Sequence, residues 1–204
     1  ARTAGKGKPS GSEGGGVSEP TSRYLDEMFR LKCGPDLMAS GAFPNAKEIT
    51  ESFAAFEAVK AHLRRTFPLN DQRVRVVTPG DGCRPRTALT FAFRTSWTAI
   101  AVDPALRAEA GWRKIHGERV RRVKTLPVKI EAVARQEEMP TVIVAVHSHA
   151  PLAAALDAFP GYPRAVVAMP CCVPQDLPQG APDLVYEDWG VWSPKREIRI
   201  WRSA

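Results

Sequence analysis

The stretch Val74 to Leu106, VRVVTPGDGCRPRTALTFAFRTSWTAIAVDPAL, constrains the fold of this chain more than any other. The β-branched run Val74–Val77 has the length and composition of a buried strand. Thr78-Pro79-Gly80-Asp81-Gly82 follows as a turn whose two glycines admit unusual backbone angles. Arg86 to Arg94 is a short helix offering Leu89, Phe91 and Phe93 for burial, and Trp97 to Val102 is a second apolar strand ending at Asp103-Pro104. Strand, glycine turn, helix, strand and terminal acid is the layout of a nucleotide-binding β-α-β unit, in which the acid stands roughly 20 residues beyond the turn. Gly82 and Asp103 have that separation. In such a unit Gly80 and Gly82 let the backbone approach a nucleoside cofactor beside Asp81, and the Asp103 carboxylate accepts hydrogen bonds from ribose hydroxyls. Asp103-Pro104 is also the pattern of a helix N-cap followed by proline, and Asp81-Gly82 by itself is a common tight turn.

The rest of the chain extends this unit into an alternating α/β pattern. Arg23 to Leu37 carries Leu25, Met28, Phe29 and Leu31 at the spacing of a short amphipathic helix that ends at Cys33-Gly34-Pro35. Asn45 is placed to N-cap a longer helix, with Glu48 three residues on and apolar residues recurring from Ile49 to Leu63. After Asp103 the pattern weakens: Leu106 to about Arg113 has helical character, and a third strand falls on Arg119–Lys124 or Leu126–Val133. Thr141–Val146 is an apolar strand leading into His147-Ser148-His149. Pro151–Phe159 reads as a helix, and Arg164–Met169 is a further strand leading into Pro170-Cys171-Cys172. Asp183–Trp189 and Glu197–Trp201 lie too close together for a crossover and are expected to pair antiparallel. The expectation is a Rossmann-like, doubly wound, mainly parallel seven-stranded sheet with a C-terminal antiparallel hairpin. Residues 45–204 would form that domain, residues 23–44 a helical extension, and residues 1–22 a disordered basic Gly/Ser-rich tail able to contact a protein partner or RNA.

Ligands of a doubly wound sheet sit beyond the carboxyl ends of its strands. Four chemically rich clusters fall there: Gly80-Asp81-Gly82, Asp103, His147-Ser148-His149 and Cys171-Cys172. His147 is the candidate catalytic residue, as a general base or substrate ligand. The cysteines are the next site candidates, and Cys171 after Pro170 has the look of a nucleophile for pyrimidine C6, although no catalytic acid accompanies it. Histidines and cysteines together also invite zinc, but there is no CxxC, and adjacent cysteines seldom share a tetrahedron, so no metal is expected. Burial as small apolar groups is the commoner fate of such cysteines.

The charge distribution points to a partner. The chain has a formal net charge of +7, and Arg107 to Lys129 holds eight basic residues against Glu109 and Glu118. Arg113, Lys114, Arg119, Arg121, Arg122 and Lys124 in that segment are the candidate contacts to an RNA backbone, with a solvated helix face as the competing reading. No apolar run approaches the roughly 20 residues of a membrane span, so no membrane partner is expected. Four scattered cysteines in a chain of this length fit an intracellular, reducing compartment, the cytoplasm or an organelle such as the mitochondrion.

A resemblance accompanies these readings. Val142 to Leu177, VIVAVHSHAPLAAALDAFPGYPRAVVAMPCCVPQDL, resembles the late motifs of a methyltransferase-domain family in which a His-containing LHACDTATD-type segment precedes a PCC segment. Lys47-Glu48-Ile49-Thr50-Glu51 resembles the region preceding that family's cofactor strand. The resemblance implies a class I S-adenosylmethionine-dependent methyltransferase fold, with S-adenosylmethionine as cofactor at Gly80, Gly82 and Asp103, His147 as the family's histidine, and Pro170-Cys171-Cys172 as its PCC. The sequence departs from the pattern at Thr78, where an acid is usual, at Arg84, where a third glycine is usual, and at Ser148 to Leu152, which replaces the CDTATD acids. Two functions are therefore expected: an RNA methyltransferase, or a catalytically inactive methyltransferase-like component of a ribosome or other RNA–protein particle. The incomplete GxGxxG disfavours an oxidoreductase built on the same unit.

Overall fold

The computed structural model describes residues 19–107, 117–172, 177 and 180–203. Its centre is one seven-stranded sheet. In chain order the elements are α1 (Arg23–Arg30), α2 (Gly34–Ala39), α3 (Ala46–His62), β1 (Arg75–Pro79), α4 (Arg86–Arg94), β2 (Thr98–Val102), α5 (Glu118–Arg121), β3 (Val123–Leu126), a 3-10 turn at Ile130–Ala132, β4 (Thr141–Val146), α6 (Leu152–Ala158), β5 (Arg164–Met169), β6 (Leu184–Glu187) and β7 (Glu197–Trp201). The strand order is β3-β2-β1-β4-β5-β7-β6. β1 to β5 are mutually parallel, and β7 runs antiparallel to both β5 and β6. This is a Rossmann-like, doubly wound, mainly parallel α/β architecture with a C-terminal antiparallel pair.

The central strands read as unbroken apolar runs because helices cover both faces of the sheet. Alternation along each strand divides the core in two. Val142, Val144 and Val146 of β4 face a large cluster formed with α1, α2, α3 and α4, whereas Ile143 and Ala145 face a thinner cluster under α6. In the large cluster Phe56 packs edge-on against Phe91, whose ring stacks on Trp97, and the indole N–H of Trp97 donates to the Pro68 carbonyl.

α3 starts where its N-cap places it, with the Glu48 N–H donating to Asn45 Oδ1 at 3.1 Å. The Arg23–Leu37 segment does not form one helix. Pro35 sits in the first turn of α2, where its missing N–H costs nothing, so the proline opens a second helix instead of only closing the first. Both helices belong to the main core: Tyr24, Met28 and Leu37 are buried, and the Tyr24 hydroxyl donates to Asp188 Oδ2 at 2.5 Å beyond β6. The third strand, Val123–Leu126, straddles the two expected stretches, taking the end of one and the start of the other, because Arg119–Arg121 completes a one-turn helix and Lys129 leads into a 3-10 turn. Most of the Leu106–Arg113 expectation, and the tail through residue 18, lie outside the described residues.

Candidate functional site

The chain runs from β1 outward to β2 and β3, then returns to β4 on the other side of β1. β1 and β4 are therefore the topological switch point, where a doubly wound sheet opens a crevice. A cavity of about 550 Å³ lies there, within the roughly 300–1,000 Å³ typical of small-ligand sites. It brings together Gly80 and Gly82 from the end of β1, Asp103 from the end of β2, and His147 and His149 from the end of β4. Arg86, Lys129 and Glu131, none of them a cofactor-site candidate from the sequence, add charge to the same wall. Arg86 opens α4 beside the glycine turn and could have been suspected from that position.

Each β1-loop residue has a distinct local task. Gly80 and Gly82 both take positive φ, 68° and 77°. A side chain on Gly80 would lie 2.3 Å from Ser148 Oγ. The bare face of Gly80 thus admits the β4 loop. Asp81 is not part of the cavity wall; it turns inward and is buried. Its carboxylate accepts from the Thr87 and Ala88 N–H groups at 3.1 and 3.0 Å, serving as a remote cap for α4, and from the Thr78 hydroxyl at 3.0 Å. Burial pushes the Asp81 carboxyl up, against the pull of the Arg86 guanidinium and these N–H donors. The departure at Thr78 is thereby explained. An acid there would face the buried Asp81 carboxylate across about one hydrogen-bond length, whereas a hydroxyl donates to it. Arg84, the second departure, reaches across to the Gly41 carbonyl.

Asp103 remains at the rim, half-buried. Oδ2 accepts from the Gly82 N–H at 2.9 Å, locking the β2 end to the glycine turn, and Oδ1 accepts from the Ala105 N–H at 2.7 Å in a local Asx turn. One bond to each oxygen leaves acceptor capacity on both.

His147 adopts a left-handed φ of 47°, uncommon outside glycine. Its Nε2 stands 2.8 Å from the Lys195 carbonyl, and its Nδ1 stands 3.2 Å from Glu51 Oε1 on α3. Both partners are acceptors, so the form that satisfies both is the doubly protonated imidazolium. Burial pulls the His147 pKa down, but the Glu51 carboxylate and the Lys195 carbonyl outweigh it, and the net displacement is upward. Burial likewise pushes Glu51 up, yet hydrogen bonds from His147 and Lys47 hold it below the ordinary carboxylate range. Both ring nitrogens of His147 are thus engaged, and the side chain ties the β4 loop to α3 through Glu51 and to the Lys195 carbonyl. The sequence signal for this contact was Lys47-Glu48-Ile49-Thr50-Glu51 itself, whose i, i+4 pair Lys47–Glu51 closes at 2.8 Å. Glu48 joins the same cluster, with Oε2 2.6 Å from Arg86 Nε.

At the end of β5, Cys171 and Cys172 stand against His149. Cys172 Sγ lies 3.1 Å from His149 Nε2 and 3.6 Å from Cys171 Sγ.

The predicted RNA contacts divide. Arg113 and Lys114 lie outside the described residues. Arg122 donates to the Ala92 and Thr95 carbonyls at 2.8 Å, satisfying the carboxyl end of α4. Arg119 stands over the Phe93 ring at 5.9 Å. Arg121 and Lys124 are exposed. The Arg119–Arg122 turn enters β3 at its amino end, the opposite end of the strands from the cavity.

No helix among the described residues is long and apolar enough to cross a membrane. No protein-family model matches the sequence, and no curated protein matches it significantly. Among solved structures, the chain is similar to a Methanococcus maripaludis protein described as a candidate S-adenosyl-L-methionine-dependent methyltransferase, with a TM-score of 0.39 and 10% identity. The match covers 72% of this chain and 61% of that one, so the chain spans under two thirds of the length of its neighbour. The fold assignment rests on the sheet order and register.

Proposed function

We propose that this chain is a methyltransferase-like protein that binds S-adenosylmethionine at the switch-point cavity and works on or against RNA. The observation that carries the first part is Asp103, fixed at the rim by the Gly82 N–H with acceptor capacity left on both carboxylate oxygens. The surrounding donor set fits that cofactor. Val102 and Ile130 supply buried apolar wall for a base, Asp103 accepts from ribose hydroxyls, and the Arg86 guanidinium faces the same space as a partner for a carboxylate. The cofactor, when bound, supplies an activated methyl group. The described residues contribute binding and orientation, the terms by which proximity accelerates transfer.

A second reading, a binding component of an RNA–protein particle, is favoured by one specific observation. The exposed cations Arg121 and Lys124 lie at the amino end of the sheet, so RNA held there need not enter the cavity.

Calorimetry tests the first reading. S-adenosylmethionine is expected to bind the purified chain, and Asp103→Ala to weaken it by about tenfold or more, the loss of one or two charge-assisted hydrogen bonds. Absence of binding at millimolar cofactor would overturn it and leave the second.

A further inference from the structure

β4 and β5 pair in parallel register, with Val146 opposite Met169. Three residues beyond that pair lie His149 on one strand-end loop and Cys172 on the other, and Cys171 immediately precedes Cys172. The ligand atoms of all three lie within 4.8 Å of one another. A zinc ion bound at about 2.3 Å to sulfur and about 2.0 Å to nitrogen in a tetrahedron has S···S edges of about 3.8 Å and N···S edges of about 3.5 Å. The structure has 3.6 Å between the two Sγ atoms and 3.1 Å between Cys172 Sγ and His149 Nε2. Small side-chain adjustments separate this cluster from a coordination shell. Adjacent cysteines had argued against a metal on spacing alone, but here the two sulfurs already span one tetrahedral edge, and the third ligand arrives from the neighbouring strand.

From this arrangement we infer that His149, Cys171 and Cys172 form a binding site for a thiophilic divalent cation of the zinc type. Two thiolates and an imidazole are the donors such a cation prefers over magnesium or calcium. The neighbouring backbone supports the arrangement, since the Cys171 thiol lies 3.7 Å from the His147 carbonyl and the His147 N–H donates to the Met169 carbonyl at 2.9 Å. These contacts pin the two loops together. Three ligands leave a fourth position, the pattern of a site that holds water or a ligand atom. His149 also lines the cavity, so a ligand atom in that fourth position would border it. Cation binding itself does not depend on the S-adenosylmethionine reading.

The experiment is titration of the full chain, reduced and metal-free, with Co(II), followed by displacement with Zn(II). One equivalent of Co(II) is expected to give a sulfur-to-cobalt charge-transfer band with the intense visible bands of four-coordination. Cys171→Ser, Cys172→Ser and His149→Ala are each expected to weaken binding by roughly tenfold or more, while Cys83→Ser, which removes an exposed thiol on the β1 loop, leaves it unchanged. Circular dichroism of the metal-free variants establishes that they are folded. Zn(II) is also expected to protect two thiols from alkylation. Absence of the charge-transfer band in the native chain, or its persistence in the Cys171→Ser/Cys172→Ser double variant, would refute the site. Because cofactor binding is read by calorimetry without added metal, failure of either reading is seen separately.

Discussion

The two ends of the sheet use charge differently. At the amino ends, Arg75 is buried inside β1, where Nε donates to Thr141 Oγ1 at 2.8 Å and Nη2 to the Pro160 carbonyl at 2.5 Å. Burial lowers its pKa to about 10. Arg122, just before β3, is committed to the carboxyl end of α4. These cations complete the backbone's own hydrogen bonding. At the carboxyl ends, Asp103 accepts from the Gly82 N–H and Arg86 pairs with Glu48, but both also border an open cavity. The contrast teaches that a count of charges in a segment does not measure its capacity for a partner. What matters is how many carbonyls and helix termini in the fold claim those charges first.

The largest way to break this contrast is to close the carboxyl end from within. Gly80→Ala places a Cβ against Ser148 and forces a left-handed backbone on an L residue. We expect a loss of about 3 kcal/mol by chemical denaturation, of which about 1 kcal/mol is the backbone term. Gly80→Ala/Ser148→Gly should recover the overlap part. If Gly80→Ala is silent, the two loops are not packed as described.

The ion pair between α3 and the β4 loop gives a smaller, pH-dependent effect. His147 is raised above its ordinary value of 6.5, so its contribution is fully present below that pH and is lost as pH rises through the folded value. Glu51 is lowered below 4.5, so its contribution is present above that pH and is lost as pH falls through its own folded value. The native chain should therefore lose about 1 kcal/mol on the alkaline side of pH 6.5, a slope that His147→Gln removes. Equal slopes in thermal melts of both proteins across that range would show that the pair is not formed.

The smallest effect belongs to the exposed cations of the amino end. Arg121→Ala/Lys124→Ala should change stability by no more than about 0.5 kcal/mol. If these residues meet RNA phosphates, the same double variant should lower the slope of log affinity against log salt by about 1.4 to 1.8. An unchanged slope, measured by fluorescence anisotropy with a labelled RNA, would remove both residues from the contact.

Legibility in the sequence followed burial. β1, β2, β4 and β5 were readable within two residues at either end because both faces of each are covered and the apolar run is continuous. β3 is an edge strand with an exposed Lys124, and the basic residues around it obscured a four-residue segment. At the site, placement past the strand ends was enough to bring Gly80, Gly82, Asp103, His147 and His149 to one cavity. It could not say which way a side chain turns. Asp81 and Asp103 are both acids beside glycine or proline, yet one caps a helix inside and the other stands at the rim, a choice decided by where the N–H groups of Thr87, Ala88 and Gly82 point.

The register between β4 and β5 has a consequence for how ligand sets are recognised. Coordinating residues are usually sought at short local intervals such as CxxC. Between adjacent parallel strands the relevant interval is the length of the crossover, here the 23 residues separating His149 from Cys172. The helix between the strands works as a ruler. Lengthening the connection after Ala158 would change the interval in the sequence without moving either residue in space, so the same cluster could recur in other chains at spacings that share no motif.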